Sequence, residues 1–246
     1  MKKVVWVIPV LLLFQCGGGK RFSPRLDPED RFTLAKRYLE QGKYLKAQEE
    51  FKRLIFENPG SGYVDDAQFY LAEAYFLNKE YDFALLEYGY LIENYRSSEY
   101  VDDAHFKIGL SYYRRSKPVH LDQTDTKKAL DEIELFLTKY PESEYTADAL
   151  EAKKKCMEKL ARKDLEAGKL YMKLRKYPAA RVYFESVLED YPETEGAEEV
   201  LLLIGISYEK ERDFANAREA YEKAISGSTD QTIISEARAR LEKLPE

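Results

Sequence analysis

Two cysteines, two histidines and several paired acids are the side chains that could make this chain an enzyme or a metal protein. Cys156 sits in the lysine-rich run KKKCMEK, where positive neighbours would favour the reactive thiolate. The competing expectation for it is a packed, inert thiol. A nucleophile also needs a partner base, and His105 and His120 stand isolated. Together with Cys16 these residues cannot assemble a Cys/His zinc cluster or a disulfide framework. The acid pairs Asp65/Asp66 and Asp102/Asp103 open apolar-periodic segments, where they complement the positive end of a helix dipole better than they serve acid–base catalysis. GGGK at 17–20 lacks the glycine spacing, the following Ser or Thr, and the preceding strand of a phosphate loop. No cofactor, no metal and no catalytic site are expected.

The chain has 246 residues, 44% of them apolar and 34% charged, which is ample for a core without covalent or metal staples. Its net charge of −6 supplies no cationic field for nucleic acid, so nucleic acid is not an expected partner.

The 20 tyrosines supply a register. Tyr38, Tyr75 and Tyr112 are 37 apart, as are Tyr171 and Tyr208. Three residues before each stands a small residue: Ala35, Ala72, Gly109, Gly168 and Gly205. Downstream come Ala47, Ala84, Ala129, Ala180 and Ala217, each followed four residues later by a bulky apolar side chain: Phe51, Tyr88, Ile133, Phe184 and Tyr221. Spacings of three and four place these residues on one face of each of two helices. Small residues permit axes ~8–10 Å apart, and the bulky ones fill the adjoining grooves. Pro59, Pro141 and Pro192 stop second helices.

Two register breaks interrupt the period. Tyr112 to Ala129 is 17 residues where the other repeats have 9, placing an insertion around SKPVHLDQTD. Ala129 to Tyr171 is 42 residues where 28 is usual. The excess lies in a proline-free stretch of helix formers, so one long helix is expected from near Tyr145 to about Leu174. Residues 230–244 supply a last helix to cap the stack.

At the N-terminus, Lys2 and Lys3 precede an eleven-residue run from Val4 to Phe14, too short to span a bilayer but suited to an export signal. With Leu13 and Cys16 in place, the segment resembles the leader of a bacterial lipoprotein, whose cysteine is lipidated after cleavage. Gly17, rather than Asp, is compatible with delivery to the outer membrane. Gln15 stands where such leaders usually carry Gly, Ala or Ser, and the alternative is an uncleaved hydrophobic anchor.

The Leu-Gly-x-x-Tyr, Ala, Phe and Pro pattern resembles the tetratricopeptide repeat. The implied fold is all-α: a right-handed α-solenoid of five tetratricopeptide-like hairpins plus a C-terminal capping helix. The expected organisation is a signal peptide at 1–15, a lipidated tether at 16–28, repeats 1–3 at 29–144, and repeats 4–5 with the long helix and cap at 145–246.

DTKKALDEIELFLTKYPESEYTADAL and LARKDLEAGKLYMKLRKYPAARVYFESVLEDYPET, with the two register breaks in this order, resemble the BamD family, tetratricopeptide lipoproteins of the outer-membrane β-barrel assembly machinery. That resemblance implies a scaffold held by a lipid anchor on the periplasmic face of the outer membrane. Its partners would be a POTRA-containing, BamA-like barrel subunit, unfolded β-barrel precursors and accessory lipoproteins. Concave first-helix positions fall at Phe32, Lys36 and Leu39, at Phe69, Glu73 and Phe76, and at Phe106, Leu110 and Tyr113. Such a groove would suit the terminal strand of a precursor, unless the aromatics pack between repeats instead. POTRA docking would fall on repeats four and five, including Arg181, Tyr183, Asp190 and Tyr191. Other tetratricopeptide lipoproteins, such as secretin pilotins or coordinators of envelope division, are the alternative. A hydrolase or redox protein using Cys156 is a third reading.

Overall fold

The computed structural model describes residues 26–245. Cys16, the export segment and the first part of the tether lie outside the described residues. Within them are eleven α-helices and no strand. Five hairpins follow one another: α1 (Pro28–Glu40) with α2 (Tyr44–Glu57), α3 (Val64–Leu77) with α4 (Tyr81–Asn94), α5 (Val101–Arg115) with α6 (Thr124–Lys139), α7 (Thr146–Lys173) with α8 (Tyr177–Asp190), and α9 (Glu195–Glu211) with α10 (Phe214–Gly227). The last helix, α11 (Gln231–Leu241), packs on α10 and α9. Each helix packs on the next, and odd-numbered helices also meet at α1–α3, α5–α7, α7–α9 and α9–α11. This is an α-solenoid of tetratricopeptide-like hairpins.

Local chemistry sets the helix ends. The Asp27 carboxylate accepts from the Asp30 amide at 2.8 Å, with Pro28 in the first turn. Asp213 and Asp230 cap α10 and α11 in the same way. Pro59, Pro141 and Pro192 lie immediately after the C-caps of α2, α6 and α8. Four residues after the register tyrosine the chain turns through the left-handed region, at Gly42 (φ 68°), Lys79 (64°), Arg175 (56°) and Arg212 (66°). Only the first has the residue that adopts this conformation without steric penalty.

The small and bulky positions interlock. Ala47, Ala84, Ala129, Ala180 and Ala217 are fully buried, as are Phe51, Tyr88, Ile133, Phe184 and Tyr221. A Cβ on Gly109 would lie 2.7 Å from Ile133, one on Gly168 2.3 Å from Phe184, and one on Gly205 2.4 Å from Tyr221. These glycines therefore seat the partner helix's bulky side chain directly on the backbone. Each such burial contributes roughly 1.5–3 kcal/mol.

The second register break becomes α7, 28 residues long. Its first half, at Ala149, Ala152 and Cys156, closes the apolar cluster of the third repeat. Its second half, at Ala161 and Leu165, opens the cluster shared with α8 and α9. The first break is the segment between α5 and α6, organised by a buried glutamine. Gln123 Nε2 donates to the carbonyls of Pro118 (2.7 Å), Lys117 (3.2 Å) and Leu121 (3.2 Å), and its Oε1 accepts from Thr126 (2.7 Å).

Candidate functional site

The first groove position of each N-terminal repeat lies in the seam between repeats. Phe32 stacks on Tyr63 at 5.5 Å, Phe69 on Tyr100 at 4.4 Å, and Phe106 on Tyr145 at 5.2 Å. These tyrosines sit at the N-caps of α3, α5 and α7. Phe69 is 5% exposed and Phe106 3%, so neither has a free face to offer a partner. Packing between repeats is where the structure puts them, while Phe32 keeps a half-buried ring.

The same seams explain half of the acid pairs. The Tyr100 hydroxyl hydrogen-bonds to Asp66, and the Tyr145 hydroxyl to Asp103. Burial raises both carboxyls above the ordinary range, and the tyrosine bonds oppose that shift. Helix-dipole complementation was the expected explanation. The second acid of each pair instead also ties one repeat to the next.

The second and third positions stay half-buried on the odd-numbered helices. Lys36 places Nζ 3.3 Å from the centre of the Tyr70 ring. Glu73 accepts from Lys107 Nζ at 2.8 Å and from the hydroxyl of fully buried Tyr88. Burial first, and then Glu73, pushes that hydroxyl well above its ordinary pKa. Leu39 packs on the N-terminal core, and Phe76 meets Tyr81 edge-on at 5.6 Å. Leu110 and Tyr113 line a cleft of about 300 Å³ between α5 and α7. A second cleft of about 780 Å³ opens beside Tyr113 toward the start of α9. The structure thus joins Glu73 to Lys107, and Leu110 to Tyr113, and places Lys36 and Leu39 one repeat away.

In the C-terminal set, Arg181 ties α8 to α9. Its Nη1 donates to Ser207 Oγ at 3.1 Å and Glu211 Oε2 at 2.5 Å, and the guanidinium lies 4.0 Å over Tyr208. Tyr183 stacks on Tyr171 at 5.3 Å. Tyr191 is half-buried at the C-cap of α8, packed against the adjoining core. Asp190 is exposed and accepts from Ser186 at 3.1 Å. Three of the four residues, Arg181, Tyr183 and Tyr191, therefore have intramolecular work, while Asp190 faces solvent.

Sequence reasoning missed a different exposed feature. Phe56 is 88% exposed, and Phe83, Leu86 and Tyr90 stand out from α4 on the side away from Ala84, Tyr88 and Leu91. Their spacing of three and four is itself a helical stripe, so a second apolar face on α4 was detectable.

Reactive chemistry finds no support at Cys156. Its side chain is fully buried, and burial pushes the thiol up to about 12, leaving no thiolate at neutral pH. The His105 imidazole is lowered by burial and by Lys139. Its Nε2 lies 3.1 Å from Lys139 Nζ and must accept, because an ammonium carries no lone pair.

A family model described as YfiO, outer membrane lipoprotein, matches residues 24–225. Outer membrane protein assembly factor BamD of Rickettsia prowazekii is 29% identical over 170 residues, covering 69% of this chain and 68% of that protein. The protein of the same name from Haemophilus influenzae is 30% identical over 112 residues, covering 46% of this chain and 42% of that one. The solved TPR2AB-domain:pHSP90 complex of yeast Sti1 superposes with a TM-score of 0.50 at 15% identity, covering 87% of this chain and 83% of that one. At that identity it speaks for the fold alone.

Proposed function

The chain belongs to the YfiO family of outer membrane lipoproteins, and from that premise we propose that it is a non-catalytic scaffold for assembly of outer-membrane β-barrel proteins. The observation that carries this reading is the extent of the family match, which runs through both register breaks: the Gln123-centred insertion and the long helix α7. A tetratricopeptide stack alone would suit many unrelated complexes. The BamD relatives narrow it to outer membrane protein assembly.

In this reading Cys16 carries a lipid that holds the chain on the periplasmic face of the outer membrane, and the tether expected at 16–28 ends earlier, at the Asp27 cap of α1. Repeats 1–3, at 29–144, engage unfolded barrel precursors, and repeats 4–5, at 145–246, dock a POTRA-containing, BamA-like subunit beside accessory lipoproteins. For precursor binding, support comes from Lys36, Leu39, Phe76, Leu110 and Tyr113, which retain accessible surface. An extended segment directs successive side chains to opposite sides, so alternating polar and apolar contacts can be met along such a row. For docking, Asp190 and the outer edge of the Tyr171–Tyr183 stack are the accessible features. Arg181 and Tyr191 act behind them by fixing α8 on its neighbours.

Purification of the tagged chain from envelopes should co-isolate a POTRA-containing barrel protein, and depletion should lower many barrel proteins together. Loss of one secretin with other barrels unchanged would contradict this and favour a pilotin.

A further inference from the structure

The extra turns of α7 carry a row of cations along the wall of the 780 Å³ cleft. Lys155, Lys159 and Arg162 are spaced by four and three and so share one helix face, with Lys154 beside them. Tyr113 of α5 and Val119 of the α5–α6 segment supply apolar surface to the same cleft. The smaller cleft shares Tyr113, Glu151 and Lys155 and adds Leu110, Lys107, Arg114 and Asp148, so its rim carries three cations against two acids.

The charges are available. Lys154 has no ion pair among the described residues. Lys155 and Arg162 pair only with Glu151 (2.5 Å) and Glu166 (3.0 Å) one turn away on the same exposed helix face. A partner's carboxylate can compete with such solvent-exposed pairs. Lys159 donates to Ser116 Oγ at 2.6 Å and stands 5.6 Å over the Tyr113 ring. Of the acids in the wall, Glu151 faces Lys155, Glu158 accepts the Glu195 amide at 3.2 Å, and Glu195 lies at the far end, in the first turn of α9. A basic wall is not the default for a chain of net charge −6.

We propose that the α5–α7–α9 cleft binds an extended peptide segment in which acidic side chains alternate with aromatic or aliphatic ones. Alternation is the pattern an extended chain needs to set carboxylates against Lys154, Lys155 and Arg162 while its apolar side chains meet Tyr113 and Val119. This ligand class rests on the reading that the concave side of the stack takes unfolded precursors.

The test is fluorescence anisotropy of a labelled peptide of about nine residues alternating Phe and Glu, against the same peptide with Lys in place of Glu. The full-length chain should bind the acidic peptide at least about tenfold more tightly, and the preference should shrink between about 50 mM and about 500 mM salt. The double variant Lys154→Glu, Arg162→Glu alters exposed side chains and should keep its circular dichroism. It should lose at least about tenfold in affinity for the acidic peptide and gain affinity for the basic one. Equal affinities in wild type and variant, or binding of anionic vesicles but not of the peptide, would overturn the proposal. Capture of an unfolded barrel precursor is measured in parallel. A chain that captures precursor but shows no acidic preference overturns the cleft's specificity alone, whereas one that captures neither overturns the precursor-binding reading with it.

Discussion

Replacing Gly168 by alanine separates two opposed physical effects. In an exposed helix the change should stabilise, because alanine exceeds glycine in helix propensity by about 1 kcal/mol. At Gly168 the new methyl would lie 2.3, 2.6 and 3.0 Å from three carbons of the Phe184 ring, against an optimum of about 3.5–4.0 Å. Phe184 is fully buried, so its ring has no free space to move into. Overpacking of this kind costs about 1–3 kcal/mol, leaving a net loss of up to about 2 kcal/mol after the propensity gain. For a chain of this size that corresponds to a fall in Tm of up to roughly 8 °C. Gly89 in α4 is the control, since a Cβ there meets nothing within 4 Å. Gly89→Ala should raise Tm, by about 0.5–1 kcal/mol of stability. Combining Gly168→Ala with Phe184→Leu should cost less than the sum of the two single changes. Thermal unfolding followed by circular dichroism reads all four variants. A Gly168→Ala chain as stable as Gly89→Ala would refute the close approach of α7 and α8.

Lys79→Gly and Arg175→Gly should each raise Tm slightly, because a side chain at positive φ costs about 1–2 kcal/mol and glycine's unfolded-state entropy offsets only part of it. Glu198→Gln should free α11: its carboxylate accepts from Ser228, Thr229 and Asp230, and hydrogen exchange should accelerate there first. Hydrogen bonds from Ser228 and Thr229 hold the Glu198 carboxyl below its ordinary range. The anchoring is therefore complete above the ordinary glutamate pKa and lost as pH falls through the lower folded value, which the exchange rate of α11 reports. Cys156 should resist alkylation in the native chain at about pH 8 and react on unfolding. Because its thiol is raised to about 12, the neutral form stabilises the fold below the unfolded pKa, and that contribution fades as pH rises from there.

Helix pairing was legible because the constraint is local and repeated. The small-to-bulky spacing of Gly168 with Phe184, or Gly205 with Tyr221, has to recur wherever two helices approach this closely. The long α7 was legible for the same reason, since a proline-free excess between two fixed registers has no other place to go. The surface was less so. Phe69 and Phe106 sit at positions where a ring can face a groove or the next repeat, and the choice depends on Tyr100 and Tyr145, contributed by the first helix of that next repeat. Gln123 looks like any polar loop residue until the carbonyls it gathers are in place. Arg181 was expected at the docking surface because the family resemblance assigns docking to repeats four and five, but Tyr208 and Glu211 of α9, 27 and 30 residues downstream, engage it.

The scaffold reading is tested most directly by placing a photo-crosslinking residue at Tyr113 and, separately, at Asp190 in living cells. The account predicts adducts with many different barrel precursors from position 113 and a single discrete adduct with a POTRA-containing barrel subunit from position 190. Adducts confined to one secretin, or none at either position in a chain that is present and folded, would contradict it.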